Sequence, residues 1–472
     1  MNEMTATKKL AKFVYELEFD HLSSEVQEHL HFCLLDAIGC GIYGSTKHWS
    51  QKVIKTFEDI VPKSDNQGAK IFGHSTNYTP DHAALINGTL IHCFEFDDLH
   101  KTAVIHPGAE IIPVLLALTD YLEMNGRNVT GKEFLTALAA GYEVGCHVGM
   151  LTGAEQLNRG FHPSATSGIF GAAAAGAKLL NLSEEEILHS IGIAGSQASG
   201  LMSAQYEAMV KRMNPGKAAQ NGLLSVMLAK NGFTGITNVI EASYGGFAQT
   251  FADVHIKDTD FDNLGVDFET LNVGFKPYPC CGSNHTTIDC TLEMVKENGA
   301  AFKVEDIKEI LIETTTATKH HVGWEYKASG AIAAQMNLQY ATAVTLLDGE
   351  CTVKQYEDRK IESENVNALI QKINIEPNLE FDKSGRSGRH HIRITTTFSD
   401  GTTKVKEKVH AKGSMVEPLT YQEVKSKFLN LVGNVYSEAT SHALLDQLLT
   451  LETSSDVIKV FQIFHGELTK SG

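Results

Sequence analysis

Six side chains able to hold or move protons crowd into one short stretch of the chain. Ile91-His-Cys-Phe-Glu-Phe-Asp-Asp-Leu-His100, followed by His106-Pro-Gly, puts His92, Glu95, Asp97, Asp98, His100 and His106 within fifteen residues. Apolar residues flank it at 85–91 and 104–118. Carboxylates and imidazoles against an apolar wall acquire shifted pKa values, which general acid–base chemistry needs. A plainer alternative is a helix C-terminus running into a solvated loop with Asp caps. His and carboxylates could also ligate Zn or Fe, although no H-E-x-x-H or comparable spacing is present.

Three further sites carry cations or imidazoles. His162 lies between Phe161 and Pro163, just before an Ala-rich helical run, at a helix N-terminus where anions are favoured. Lys211 and Arg212 sit among small and apolar residues, a setting for carboxylate capture and for a partly desolvated Lys that carries a proton. Lys276 is held in the stiff segment Phe275-Lys-Pro-Tyr-Pro, and Gly282-Ser283-Asn284 reads as the N-cap of a helix opening at His285. Lys276, free backbone N–H groups and His285 could therefore converge on an anion. A Cys281–His285 nucleophile pair is conceivable, but nothing obvious would orient it. A solvated loop or a structural histidine is the alternative in each case.

The elements that must position these groups are mostly helices. Leu22, Val26, Leu30, Leu34 and Ile38 recur every four residues behind a capping pair, Ser24 and Gln27. Thr130/Glu133, Ser183/Glu186 and Thr420/Glu423 repeat that start signal. Gly141, Gly145 and Gly149 share one helix face, and since each glycine costs a helix about 1 kcal/mol, they imply close helix–helix contact. Gly39-Cys-Gly-Ile-Tyr-Gly44 matches a dinucleotide fingerprint, with Glu58 and Asp59 about 20 residues on, but it ends a helix instead of following a strand. The texture changes near residue 271: residues 307–315 alternate as a strand, and 390–409 reads as a hairpin about Ser399-Asp400-Gly401. The expected organisation is mainly α: a helical domain over 1–270 and 410–472, with an α+β domain over 271–409 between its two parts.

Composition narrows the function. Lys and Arg number 40 against 57 Asp and Glu, a net charge of −17 that argues against nucleic acid and anionic membrane surfaces as partners. Among 472 residues, 42% are hydrophobic and only 10 are Pro, which excludes disorder and fibrous repeats. The apolar run 111–118 is too short for a membrane span, and the polar start of the chain lacks a signal peptide's apolar stretch. The 8 cysteines do not form a disulfide framework, so the expected location is cytoplasmic. With no cofactor motif, the set of sites points to proton transfer at a carbon next to a carboxylate.

At these same residues the sequence resembles the MmgE/PrpD family of 2-methylcitrate dehydratases, cis-aconitate decarboxylases and iminodisuccinate epimerases, over about residues 8–465. The matching motifs are Asn87-Gly88 through Phe96-Asp97-Asp98 with His106, Gly160-Phe161-His162-Pro163, Val210-Lys211-Arg212 with Gly216, and Lys276-x-Tyr278-x-x-Cys281 with His285. The resemblance implies a large all-helical domain built from both chain ends, an α+β lid, a homodimer, and a metal-free, cofactor-free active site between the domains for tricarboxylate-like substrates. It implies His106, His162 and Lys211 as catalytic, with Glu95, Asp97, Arg212, Lys276, Cys281 and His285 on the substrate. Glu95 stands where many members carry Asp, and Cys281 where mammalian cis-aconitate decarboxylases have His. Both features look more like the fungal decarboxylase branch. The expected activity is a cofactor-independent lyase, decarboxylating cis-aconitate or dehydrating 2-methylcitrate. An epimerase of an iminodisuccinate-type dicarboxylate and a non-catalytic carboxylate-binding relative are the alternatives.

Overall fold

In the computed structural model of the chain, residues 4–60, 68–257, 259–299, 302–385 and 388–465 are described, so the last seven residues of the expected 410–472 segment lie outside. The chain forms two compact units. The first takes the described residues of Met1–Met202, Val210–Phe275 and Thr420–Gly472; the second takes Ser203–Met209 and Lys276–Leu419.

Among the described residues of the first unit, the regular elements are helices apart from a two-residue pairing of Leu99–His100 with Val273–Gly274 and three isolated bridges. Capping boxes start the helices Gly131–Asn158, Glu184–Gly195 and Tyr421–Val432 at Thr130, Ser183 and Thr420. The helix Ser24–Gly44 is capped by Ser23, whose hydroxyl accepts from Val26 N, and not by Ser24. Small residues let these helices approach closely. A Cβ on Gly141 would lie 2.8 Å from Ala175 Cβ, and one on Gly149 2.7 Å from Ala103 Cβ. The Gly39–Gly44 pattern serves packing too: a Cβ on Gly44 would fall 2.0 Å from Leu90 O. The C-terminal helix Tyr421–Val432 returns to the N-terminal Ser24–Gly44 helix, stacking Tyr421 on Phe32 at 3.9 Å. Gly131–Asn158 is long and apolar enough to cross a membrane, but 89% of its apolar window is buried in the fold, as befits a core helix.

The second unit is built on a four-stranded sheet. Strand Ile307–Thr314 pairs in parallel with Ile373–Pro377 on one side and antiparallel with Ile392–Phe398 on the other. Ile392–Phe398 turns through Asp400 and Gly401 (φ 86°) into Thr403–Lys408 as the expected hairpin. Helix His285–Asn298 packs on this hairpin, with Thr396 Oγ1 3.4 Å from Met294 Sδ. The excursion Ser203–Met209 joins this unit, with the Tyr206 ring edge-on to Trp324 at 5.4 Å.

Candidate active site

Helix Pro80–Ile91 runs into a 3₁₀ turn, His92–Phe94, and the chain then reverses through Glu95, held in the left-handed region at φ 56°. A non-glycine residue there costs on the order of 1–3 kcal/mol, so the surroundings must enforce it. The turn aims His92, Glu95 and Asp97 at the start of helix Val210–Lys230. Close approach of the two helices allows this: a Cβ on Gly88 would sit 2.5 Å from Gly216 Cα. His106 caps the next helix, Pro107–Met124, and its backbone N–H donates to Ser164 Oγ at 3.0 Å. His162 occupies the equivalent position before Pro163–Thr166.

These groups meet. The Lys211 ammonium donates to Glu95 Oε2 at 2.7 Å, and the Arg212 guanidinium grips the same oxygen. Lys211 Nζ also lies 3.3 Å from His92 Nε2. His92 Nδ1 is 2.9 Å from Asp97 Oδ2, and His106 Nδ1 is 3.3 Å from that oxygen. The His106 contact is a close approach, off the line of a hydrogen bond. The His92 ring lies 4.6 Å from that of His106 and 5.9 Å from that of His162. Asn214 Nδ2 lies 3.1 Å from His162 Nδ1. His106 and Asn214, the most open of the group, are only 7% exposed.

The hydrogen-bond network assigns the protons. Asp97 as a carboxylate can only accept, so His92 carries hydrogen on Nδ1 and turns its Nε2 lone pair to the Lys211 ammonium. Burial, helped by Lys211 and opposed by Asp97, brings His92 from 6.5 down to about 4. Burial would raise the Asp97 carboxyl, but its interactions with the His92 and His106 rings outweigh it and hold it well below the carboxylate range. Burial and then the charges of Lys211, His92 and His106 hold His162 well below its ordinary value. The amide of Asn214 donates to His162 Nδ1, which leaves the proton of the neutral ring on Nε2. The cluster therefore combines an ionised Asp97, neutral imidazoles at His92 and His162, and two cations on one carboxylate.

Of the residues singled out in sequence, Glu95, Asp97, His106, His162, Lys211 and Arg212 come together here. Lys276, Cys281 and His285 belong to the second unit, buried at 2%, 6% and 4% exposure, with His285 Nε2 3.2 Å from Cys280 O. Asp98 and His100 turn away: Asp98 accepts from Gly108 N and Tyr142 OH, and His100 pairs with Glu269 at 3.0 Å. The solvated loop is not what forms over 91–100, which is buried apart from half-covered Phe96 and Leu99; exposure is confined to the turn at Thr102 beyond it. Asn214 and Ser164 join the site without any signal of their own in the sequence, as does His92 in the role of bridge between Asp97 and Lys211. Ligand atoms of His92, Asp97 and His106 lie within 4.8 Å of one another, close enough to hold a metal ion. The Lys211 ammonium beside His92 makes those surroundings unfavourable for a second cation.

The MmgE/PrpD N-terminal domain matches residues 8–259, and the MmgE/PrpD C-terminal domain matches 278–452. The chain belongs to the MmgE/PrpD family. It is 33% identical to the cis-aconitate decarboxylase-like protein oryM of Aspergillus oryzae, covering 99% of this chain and 98% of that one. It is 30% identical to cis-aconitate decarboxylase of Aspergillus terreus, over 97% and 96% of the two chains. Identity to 2-methylcitrate dehydratase of Escherichia coli is 24% over 82% of each. These MmgE/PrpD relatives include decarboxylases and dehydratases of small carboxylates, which makes a lyase the class of enzyme.

Proposed function

We propose that this chain is a cofactor-independent lyase for a small tricarboxylate, working by general acid–base chemistry on a cis-aconitate-like or 2-methylcitrate-like acid. The observation that carries the reading is the buried cluster in which neutral His162 and the Asp97-linked His92 and His106 surround the Lys211–Arg212 cation pair. A substrate carboxylate shares those cations with Glu95, which explains why two positive charges are gathered onto one acid. In decarboxylation the cations stabilise the electron pair left on carbon as CO₂ departs, and an imidazole N–H delivers the proton. In dehydration an imidazole removes the Cα proton and a protonated group assists loss of hydroxide. Lys276, Cys281 and His285 are included as substrate-binding side chains on the family pattern.

Incubation of the purified chain with cis-aconitate and with 2-methylcitrate tests this. The expected result is CO₂ release from the first or water loss from the second. Binding without turnover of either acid would sink the lyase reading in favour of a carboxylate-binding protein, and racemisation of an iminodisuccinate-type acid would favour an epimerase. A homodimer and a cytoplasmic location complete the proposal. The first is supported by apolar side chains left exposed at Leu201, Phe233 and Tyr244, the second by eight cysteines that form no disulfide with one another, and light scattering tests the dimer.

A further inference from the structure

The turn that aims Glu95 and Asp97 is gripped from the far end of the chain, within the first unit. Lys427 lies on helix Tyr421–Val432, 331 residues after Phe96. Its ammonium donates to Asp36 Oδ1 at 2.6 Å and also to the carbonyl oxygen of Phe96. The same ammonium stands over the Phe96 ring, 4.0 Å from its centre. Both ends of the ion pair are buried, Lys427 at 8% and Asp36 at 2% exposure.

Phe96 is the residue between Glu95 and Asp97. Its carbonyl shares a planar peptide with the Asp97 amide, so fixing that oxygen fixes the direction in which the chain enters Asp97. Glu95, one residue earlier, sits at φ 56°, a conformation that its surroundings must enforce. The turn is tied on either side of this point. Cys93 Sγ accepts from Trp49 Nε1 at 2.7 Å, and Asp98 accepts from Gly108 N and Tyr142 OH. Between those ties, Lys427 takes Phe96 by backbone and ring together, and its charge strengthens both contacts. Asp36, on helix Ser24–Gly44, supplies the counter-charge that a buried ammonium needs, and another of the three N–H groups serves Phe96. Fold stability does not account for the pair. The two helices already meet through Tyr421 stacked on Phe32 and through Phe428 against Gly39, and a buried ion pair adds little over apolar side chains of similar size.

We propose that Lys427, oriented by Asp36, is a positioning residue: it holds the Phe96 carbonyl so that Glu95 keeps its left-handed turn and Asp97 stays against His92 and His106. That the positioned groups do catalysis rests on the lyase reading above; that Lys427 sets the turn does not.

The test compares the full-length wild type with Lys427→Met, Asp36→Asn and the double variant Asp36→Asn/Lys427→Met, by thermal unfolding, steady-state kinetics and crystallography. Each single change leaves a buried charge without its partner, so both are expected to lower Tm. The double variant removes both charges and should recover most of that loss, which keeps a folded protein in hand. Turnover should divide along another line. The amide in Asp36→Asn still accepts from the ammonium, so kcat is expected within about threefold of wild type. Lys427→Met and the double variant should lose kcat by about 10–100-fold, the cost of a misplacement near 1 Å. A purely structural role would make kcat follow Tm. Near-normal kcat in the double variant overturns the proposal, as does an equal loss in Asp36→Asn. Crystal structures need no turnover: in the double variant Glu95 should leave the left-handed region, or Asp97 should draw away from His92 by about 1 Å or more. An unmoved turn overturns the proposal whatever the kinetics. A displaced turn, in a protein whose wild type turns over neither candidate acid, keeps the role of Lys427 and ends the lyase reading.

Discussion

Asp97 and Asp98 are neighbours in sequence, both fully buried, and driven in opposite directions. Asp97 faces the His92 and His106 rings, whose interactions with it overcome burial and keep it ionised. Asp98 faces the helical core. Burial first, then the nearby charge of Asp36, push it well above the carboxylate range, although Tyr142 OH at 2.7 Å and Gly108 N at 3.0 Å bind it. One turn into the next helix Glu110, also fully buried, is raised in the same way by burial and by Asp98. One side of this turn thus carries charge toward imidazoles, and the other carries neutral acids, of which Asp98 is a hydrogen-bonded strut. Identical side chains one residue apart acquire different chemistry from the face on which the backbone places them.

The largest effects belong to the charged side. His106→Ala and Lys211→Ala are each expected to lower kcat by about 10²-fold or more while far-ultraviolet circular dichroism stays native. Near-normal rates in both would remove the site assignment. Asp97→Asn should follow at about 10–100-fold, since it removes the charge that holds two imidazoles in place. Asp98→Asn, a mimic of the protonated acid, should keep kcat within about threefold. Equal losses in the two asparagine variants would break the distinction between the two sides.

Stability against pH sharpens the same contrast. His92 falls from 6.5 in the unfolded chain to about 4 in the fold, so the unfolded state binds the extra proton between those values. Its contribution is therefore present above about 6.5 and lost as pH falls toward 4, on the order of 3 kcal/mol when complete. Asp98 and Glu110 have the opposite sign. Their folded pKa values are raised, so what they contribute is full below the unfolded value near 4 and declines as pH rises. Asp98→Asn should accordingly flatten the loss of Tm on the alkaline side and leave the acid limb unchanged. A parallel downward shift of the whole Tm curve would show that Asp98 is ionised in the fold after all.

Much of this was legible in the chain before any coordinates. Capping boxes at Thr130, Ser183 and Thr420 act within a few residues, so they transfer directly from sequence to structure. Gly141 and Gly149 announced close packing because nothing else justifies their helical cost. The strand Ile373–Pro377 was not legible: five residues ending in proline carry too little alternation, and the strand is defined by its parallel partner 307–314. Within the site, residue types revealed the titratable groups but not their facing. Residue type and spacing give Asp97 and Asp98 equal standing, the family resemblance alone singling out Asp97, and the left-handed turn at Glu95 and the contact between Gly88 and Gly216 set which one meets the histidines. Asn214 was invisible for the same reason, since an amide becomes a tautomer-setting donor only once an imidazole stands 3.1 Å away.

The smallest expected effect concerns the three-residue set His92, Asp97 and His106, whose geometry alone would accommodate a metal ion. A metal held through His92 Nδ1 would displace the hydrogen that Asp97 accepts at 2.9 Å, and one held through Nε2 would meet the Lys211 ammonium already there. Removing that proton and adding a cation beside another both cost free energy, whereas the proton-bearing arrangement satisfies Asp97 and His92 together. Dialysis against a strong chelator is therefore expected to leave kcat within about twofold, and elemental analysis of the active protein should find less than one metal ion per site. Loss of turnover with chelator, restored by a divalent ion, would mean that Asp97 is a ligand and not a proton partner, and the contrast with Asp98 would have to be redrawn around the metal.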